Sequence, residues 1–569
     1  MSSPEDLNAP PASRGRLAAS CNIPESLVAV LWRRGLRDPA ALDAFLNPSL
    51  ADLPDPDLLK GMAPASRLLA DWLAKGAPIV IYADYDADGL TAGALLYLYL
   101  RRLGHRRLHY LIPHRVRDGY GLHPHLLASV PVAAQRQPLL ITVDCGITDR
   151  EAVAAATELG FKVIITDHHQ PDGELPAAAA VLNPHQAGCS FPCPNLAGVG
   201  VAFYLLMGLR RRLVEQGSHR AAELPRLKDF LDLVALGTVA DMVKVTGANR
   251  ILIRAGLEVL QGNQRPGPAA LAAVAGITPG YAEDISFSLA PRLNAAGRIG
   301  EPEIAFKLLI CDDPGQAAAL AGELDELNRQ RRAMSDKIYQ DVRQTISSNI
   351  ADLQNIILFA HEQWHPGVLG IAATRLALEY DRPAILCALT NGVAKGSGRS
   401  VAGLDLLAAV AGCRELLAGY GGHAAALGVS MPKEVVAQFR ERLNQQLISE
   451  LPRARQERGE VDVDWFFADG AMEPGFTAAY QRLAPFGPGN PEPQFRIRGR
   501  VGKATVVGSK HLRFSWQQAD QSYNAIAFGR ADALPLTSGV VEFTFTLRRN
   551  FYQGRSSWQL KVSELISAK

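Results

Sequence analysis

The feature that most constrains this chain is a strand-sized apolar run that ends directly in acids. Ile79-Val80-Ile81-Tyr82-Ala83 leads into Asp84-Tyr85-Asp86-Ala87-Asp88-Gly89-Leu90, and the alanine- and leucine-rich stretch from Thr91 to Arg102 then reads as a helix. The same order recurs twice. Leu139 to Val143 precedes Asp144-Cys145-Gly146, Glu151 to Leu159 favours helix, and Val163 to Thr166 precedes Asp167-His168-His169. Short apolar strands alternating with helices indicate a parallel, doubly wound α/β sheet. In such a sheet the carboxyl ends of the strands form the ligand-binding edge.

Alternate positions of an extended backbone point the same way, so Asp84, Asp86 and Asp88 can converge. Like charges a few ångströms apart are tolerated chiefly when a cation neutralises them. Asp241 follows a further apolar run, Leu231 to Ala240, and is a better ligand candidate than Asp232 at the far end of that run. Any one of these aspartates alone could equally be a helix cap or turn residue; four sites together point to a divalent metal. Oxygen-rich coordination with one or two imidazoles suits Mn²⁺ or Mg²⁺ better than thiolate-bound zinc, and the site reads as dinuclear and hydrolytic. For His169, packing or a hydrogen bond to a ligand stands beside direct ligation, because adjacent residues rarely both face one ion.

At 569 residues the chain exceeds the usual single-domain range of about 100 to 200. Residues 1–60 read as an N-terminal extension ending near Pro54-Asp55-Pro56, 61–321 as the catalytic α/β domain, and 322–344 as a connecting helix with Leu324, Leu327 and Met334 on one face. Residues 345–452 form a second α/β unit, with strands at Ile356–Phe359 and Ala384–Leu389 and glycine-rich loops around Gly396 and Gly421. Residues 453–569 form a terminal all-β domain, where alternation in Val541–Leu547 buries Phe543 and Phe545. The formal net charge of +2 is too small to imply a polyanionic partner by itself. The terminal domain, however, concentrates Arg496, Arg498, Arg500, Lys503, Lys510, Arg513, Arg548, Arg549 and Arg555, interleaved with Phe514, Trp516, Phe551, Tyr552 and Trp558. Positive charge along a backbone with aromatic faces for stacking is the chemistry of sequence-tolerant single-strand binding.

Apolar runs fall well short of the roughly 18 residues of a membrane helix. The N-terminus lacks the order of a secretory signal, and seven scattered cysteines, Cys189 and Cys193 included, read as free thiols. These features point to the cytoplasm and to no membrane partner.

The runs Asp84 to Asp88, Val143 to Gly146, Asp167-His168-His169 and Ala240-Asp241 resemble the successive motifs of the DHH phosphoesterases. Ile112-Pro113-His114-Arg115 leading to Gly119-Tyr120-Gly121-Leu122, Asn195 to Gly200, and Pro291 to Arg298 narrow the resemblance to the single-stranded-DNA exonucleases of that family. Trp364 to Ile371, Lys395 to Ser400 and Gly421-Gly422-His423-Ala424 resemble the DHH-associated domain. Leu483 to Pro491 resembles the segment that introduces an oligonucleotide-binding fold, so coverage runs from about residue 60 to the end.

The resemblance implies an α/β protein: a parallel-sheet DHH catalytic domain and an α/β DHH-associated domain joined by a long helix, followed by an all-β oligonucleotide-binding fold. It implies an exonuclease specific for single-stranded DNA that degrades 5′ to 3′ to mononucleotides by two-metal phosphodiester hydrolysis, in DNA recombination and repair. Asp84, Asp86, Asp88, Asp144, His168 and Asp241 would hold two Mn²⁺ or Mg²⁺ ions, with Asp144 and Asp241 bridging. Asp144, His168, His169, Arg292, Asn294 and Arg298 would be catalytic, the arginines gripping phosphate oxygens; alone, each arginine reads as a surface salt bridge. Arg115, Arg292, Arg298, His365, Arg375, Ser397, Arg399, Gly422, His423, Arg513 and Phe551 would contact DNA, although without the pattern the glycine clusters read as tight turns. A helicase and a single-strand-binding protein are implied as partners. Alternatives are a DHH phosphodiesterase of short oligonucleotides, a non-catalytic single-strand-binding scaffold and a pyrophosphatase. The terminal basic domain argues against the first and third, and the intact acids against the second.

Overall fold

Five consecutive apolar side chains leave no face for water, so Ile79–Ala83 (β1) needs cover on both sides. The computed structural model of the protein describes residues 10–130, 137–262, 264–348, 354–456, 463–467, 472–518, 521–537, 540–552 and 555–567. It places β1 inside a sheet with all five residues buried. The other strands are β2 (Leu108–Leu111), β3 (Leu139–Val143), β4 (Lys162–Thr166) and β5 (Ala180–Leu182), in the order β2-β1-β3-β4-β5, and every pairing is parallel. Helix Ala87–Arg102 follows β1 and helix Arg150–Glu158 follows β3. From β1 the chain moves outward to β2; from β3 it moves the other way to β4. The crevice where the order reverses, at the carboxyl ends of β1 and β3, is where an open parallel sheet takes its ligand.

Leu231–Ala240 is a helix, and every residue from Leu231 to Val239 is buried. Uniform hydrophobicity carries no period, and its ten residues suit a buried helix better than a buried strand. It packs on helices Ala87–Arg102 and Gly247–Gln261. At its first turn Asp232 pairs with Arg265, Nε to Oδ2 at 2.8 Å; at its C-terminus stands Asp241.

Pro314–Ser348 forms one helix of 35 residues, about 50 Å long at 1.5 Å per residue. Its buried stripe runs through Ala317, Ala321, Leu324, Asn328, Ser335, Ile338, Val342 and Ile346. Met334 lies off that stripe and is 38% exposed, so it does not share the face of Leu324 as its spacing suggested.

The next sheet contains β6 (Ile357–His361), β7 (Ala384–Thr390), β8 (Val393–Arg399), β9 (Gly419–His423) and β10 (Ala426–Pro432), ordered β6-β7-β8-β10-β9. Only β6–β7 is parallel. The glycine-rich segments expected as loops are therefore strands. Around Gly396 the reason is cross-strand crowding: a β-carbon on Gly396 would lie 2.6 Å from Cys387 Sγ, and one on Gly398 would lie 2.8 Å from Leu427 Cδ1.

The chain divides into two compact units, one spanning Pro54–Val243 and Gly247–Gly459, the other built from the N-terminal helices, Lys244–Thr246 and the C-terminal strands. In the latter, β11 (Trp465–Phe467) lies parallel to β12 (Phe495–Val507), which is followed by β13 (His511–Gln518), β14 (Gln521–Ala527), β15 (Val540–Tyr552) and β16 (Arg555–Ser567). Pairing runs β12-β13-β14-β16-β15 and returns to β12, closing a five-stranded barrel with β14 and β16 parallel. This is the strand order of an oligonucleotide-binding fold.

Phe543 and Phe545 are buried as expected, but so are Phe514 and Trp516, which therefore serve the core and offer no stacking face. Helices Pro11–Cys21, Glu25–Arg33 and Pro39–Leu46 belong to the same core: Leu27, Leu31, Leu42 and Leu46 cluster with Phe476, Phe495, Trp516 and Phe545. Ser26 fastens them by donating from its amide and hydroxyl to the Glu473 carboxylate, at 3.1 and 2.8 Å. Among the described residues no helix is long and apolar enough to cross a membrane, and all seven cysteines are free.

Candidate metal centre

Asp84 continues the line of β1, its amide bonded to Val143 O at 3.2 Å, and its side chain is buried. Asp86 caps helix Ala87–Arg102: its Oδ1 accepts from the amides of Asp88 and Gly89 at 2.9 and 3.1 Å. Asp88 lies in the first turn of that helix and faces the N-terminus of a second, Gly198–Glu215. Its two oxygens accept from the amides of Gly198 (2.6 Å) and Val199 (2.9 Å), so a helix N-terminus orients the carboxylate. Asp144 directly follows β3 with φ at 62°, a left-handed conformation that aspartate adopts more readily than most residues with a β-carbon.

These groups meet His168 and Asp241. His168 Nε2 stands 3.1 Å from Asp144 Oδ1, 3.5 Å from Asp241 Oδ2 and 4.0 Å from Asp88 Oδ2. Three sets of ligand atoms each lie within 4.8 Å of one another: Asp84, Asp86 and Asp144; Asp88, His168 and Asp241; Asp144, His168 and His169. Glycine makes this closeness possible, since a β-carbon on Gly198 would lie 2.7 Å from Asp144 Oδ1 and one on Gly237 would lie 2.8 Å from Asp88 Oδ1.

The electrostatics demand a cation. Asp84 Oδ1, Asp144 Oδ1, His168 Nε2 and Asp241 Oδ2 are buried without a hydrogen-bond partner. Burial, then repulsion from Asp86, pushes Asp84 well above the usual carboxylate range and Asp88 up to about 7. Burial, then Asp88 and Asp86, pushes Asp241 up to about 9 and Asp144 well above its ordinary value. Asp241 also sits where the carbonyl dipoles of its helix repel an anion. Burial pushes His168 down to about 4, leaving a neutral imidazole, the form that ligates metal. Buried acids without donors beside a neutral histidine match a hard divalent ion in donor chemistry.

Asp167 has a different task. Burial opposes its charge, yet Oδ1 accepts from the amides of His168 (2.7 Å) and His169 (3.0 Å) and from His169 Nδ1 (2.8 Å), while Oδ2 accepts from the Ile147 amide (3.0 Å). Together these bonds hold its carboxyl below the ordinary range. Burial would lower His169, but its bond to Asp167 outweighs that and raises it to about 9. Tyr120, given no role from sequence, lies 3.0 Å from His169 Nδ1 through its hydroxyl and donates to Asp144 O at 3.2 Å. Its place in Gly119-Tyr120-Gly121 was the available signal. The amides of Gly198 and Val199 were likewise missed, because a backbone donor leaves no mark in residue type.

The remaining candidates divide. Asn294 Oδ1 accepts from the Ala87 amide at 2.8 Å, directly beside the acids. Arg298, on helix Ala290–Ile299, is half-buried and pushed down to about 10 by burial and then by Arg115 and Arg331. Arg115 lies 4.6 Å over the Tyr85 ring, and Arg399 donates to Ser397 Oγ at 3.1 Å and Gly398 O at 2.7 Å. Arg399 is also lowered, by burial and then by Arg115, so these three guanidiniums share one region.

Arg292 does not join them; its Nε donates to Asp325 at 2.9 Å and its Nη1 to Ser288 O at 2.7 Å. Arg375 pairs with Asp336 over the Tyr339 ring. His365 Nδ1 accepts from the Gly367 amide at 3.1 Å, and Gly422 and His423 lie on the exposed edge strand β9. In the barrel unit Arg513 is exposed on β13, and the side chain of Phe551 lies outside the described residues.

Comparison with known proteins agrees along most of the chain. Residues 78–238 match the profile of the DHH family, N-terminal domain, residues 352–449 that of the DHHA1 domain, and residues 463–564 that of the RecJ OB domain. The single-stranded-DNA-specific exonuclease RecJ of Dickeya dadantii is 39% identical, over 97% of this chain and 98% of that one. Its Escherichia coli counterpart is 36% identical over 89% and 90%. The crystal structure of RecJ in complex with Mn²⁺ from Thermus thermophilus superposes with a TM-score of 0.80 at 31% identity, covering 99% of this chain and 79% of that one.

Proposed function

The chain belongs to the RecJ family of single-stranded-DNA-specific exonucleases, and from that premise we propose that its acid-and-histidine centre hydrolyses phosphodiesters one nucleotide at a time from the 5′ end. It is a metal-dependent nuclease whose structural relatives bind Mn²⁺ and Mg²⁺. The observation that carries the reading is the convergence of four buried ligand atoms without partners, on Asp84, Asp144, His168 and Asp241, at the crevice of the parallel sheet.

Asp84, Asp86, Asp88, Asp144, His168 and Asp241 would hold two ions, with Asp144 common to two of the three ligand sets. Bound there, the ions supply Lewis acidity to the phosphate and lower the pKa of water. The chain's own groups do the rest. Asp167 fixes the ring of His169 and keeps it protonated beside Asp144, so a proton donor stands at the edge of the acid cluster. Gly198 and Val199 hold Asp88 in one orientation. Arg298, Arg115 and Arg399 present guanidinium forks to phosphate oxygens. Arg513 and the basic face of the barrel would track the strand, as sequence-tolerant single-strand binders do. We further infer that the enzyme acts in the cytoplasm in recombination and repair, on strands opened by a helicase and covered by a single-strand-binding protein.

The test is product release from single-stranded DNA labelled at either end, with Mn²⁺, beside duplex DNA, RNA and an Asp144→Ala variant. Mononucleotides from the 5′ end of single strands, and an inactive variant, are expected. Cleavage confined to short oligomers, or binding without cleavage, would overturn the reading.

A further inference from the structure

A fourth guanidinium reaches the region of Arg115, Arg298 and Arg399, and it comes from the long helix. Arg331 repels Arg298 more strongly than any like charge except Arg115. Packing explains how it arrives. Gly300, at the end of helix Ala290–Ile299, lies so close to the long helix that a β-carbon there would be 3.1 Å from Leu327 Cδ1. Arg331 follows Leu327 by four residues, one turn or about 6 Å along the same face.

The support of Arg331 is unusual for its position. Its Nε and Nη2 donate to Asn328 Oδ1 at 3.2 and 2.9 Å. Asn328 is 1% exposed and occupies a place in the buried stripe that Ala321 and Leu324 hold in neighbouring turns. A buried amide is costly unless bonded, and here its oxygen is committed to a guanidinium. The other three arginines rest on neutral groups too: Arg115 on the Tyr85 ring, Arg298 on Gly367 O at 3.4 Å, and Arg399 on Ser397 Oγ and Gly398 O. Asp336, whose charge also reaches Arg331, is paired with Arg375. By contrast Arg329, two residues earlier, is exposed and paired with Asp325 and Glu326. Guanidiniums drawn together, partly desolvated and held by neutral supports keep their charge available for an anion.

We propose that Arg331, fixed by Asn328, contacts a phosphate of the bound DNA strand, so that the helix joining the two α/β lobes is part of the binding track. The proposal rests on the nuclease reading above and assigns Arg331 a contact in the same cleft. Removing one phosphate contact from a single strand flattens the dependence of log affinity on log salt by about 0.7, a change that a purely structural residue does not produce.

The experiment compares wild type, Arg331→Gln, Arg331→Lys and Arg329→Gln with Mn²⁺ on end-labelled single-stranded DNA, from about 50 to 300 mM salt. Arg331→Gln should raise KM about tenfold near 100 mM salt, as loss of one charge-assisted contact does, leave kcat within about twofold, and flatten the salt slope by about 0.7. Arg331→Lys should keep the slope and recover part of KM, and Arg329→Gln should match wild type. Wild-type KM and slope in Arg331→Gln would overturn the proposal. So would a lowered melting temperature and kcat that lysine does not restore, since that marks a packing role. If the wild type bound DNA without cleaving it, the nuclease reading would fail on its own, and the same slopes measured on Kd by fluorescence anisotropy would still decide the role of Arg331.

Discussion

Replacing Asp241 by asparagine should stabilise the metal-free protein while removing its activity. The carboxylate ends helix Leu231–Ala240, where carbonyl dipoles repel it, and burial with repulsion from Asp88 and Asp86 pushes it up to about 9. In the unfolded chain it titrates near 3.9. A carboxyl raised in this way favours the fold below about pH 4 and loses that contribution as pH rises toward 9. At pH 8 about four pH units have been crossed, each worth about 1.4 kcal/mol, for a limit of about 6 kcal/mol. Asp88, itself raised to about 7, shares the repulsion, so one substitution should recover about half, roughly 2–3 kcal/mol. At about 2 °C per kcal/mol for a large domain, the variant should melt about 4–6 °C above wild type at pH 8, and the gap should close toward pH 4.

The assay is thermal unfolding in EDTA at several pH values, repeated with Mn²⁺, beside nuclease rates. With the metal the order should reverse, because wild type binds it more tightly and gains more stability from mass action. A variant that melts below wild type in EDTA at pH 8, or a wild type whose metal-free stability is flat between pH 5 and 8, would refute the picture of uncompensated acids.

Three further outcomes are expected. Asp167→Asn removes the bond that keeps His169 protonated and should lower kcat about 100-fold near pH 8 at saturating Mn²⁺, read from rates at fixed metal concentration. Gly198→Ala puts a methyl group against Asp144 and should lower kcat/KM at least about 100-fold while circular dichroism stays unchanged. Deleting residues 1–47 strips Leu27, Val28, Leu31, Leu42 and Leu46 from the barrel core. At about 1.5–3 kcal/mol each this costs on the order of 10 kcal/mol, comparable to a domain's whole margin, so calorimetry should lose the barrel's transition.

The parallel sheet was legible because its signal is local. An apolar run too short for a helix and flanked by polar turns can only be a buried strand, and acids placed directly after it must lie at its carboxyl end. That is why Asp84, Asp88, Asp144 and His168 are legible together in the sequence. Residue type alone separated other cases less well. Gly396 and Gly398 look like loop glycines, yet each makes room for a side chain on an adjacent strand, and the strand register that brings that side chain there is not written in residue type. Phe514 and Trp516 sit among arginines like stacking platforms, but the closure of the barrel turns them inward. Arg292 and Arg298 share one motif, and the packing of the long helix decides that one meets Asp325 while the other stays with Arg115 and Arg399.

By itself, then, the sequence determined the elements and the chemistry they carry: alternating strands and helices, carboxylates at strand ends, and a basic β domain. These are consequences of period and adjacency, which act over a few residues. The tertiary structure alone decided which carboxylates lack partners, and that the N-terminal helices complete the core of a barrel more than 400 positions away in the chain. It also decided that Asn328, inside the buried stripe of the long helix, accepts from the Arg331 guanidinium. Burial and long-range contact set those outcomes, because the cost of an unpaired charge depends on everything that surrounds it and not on its neighbours in the chain.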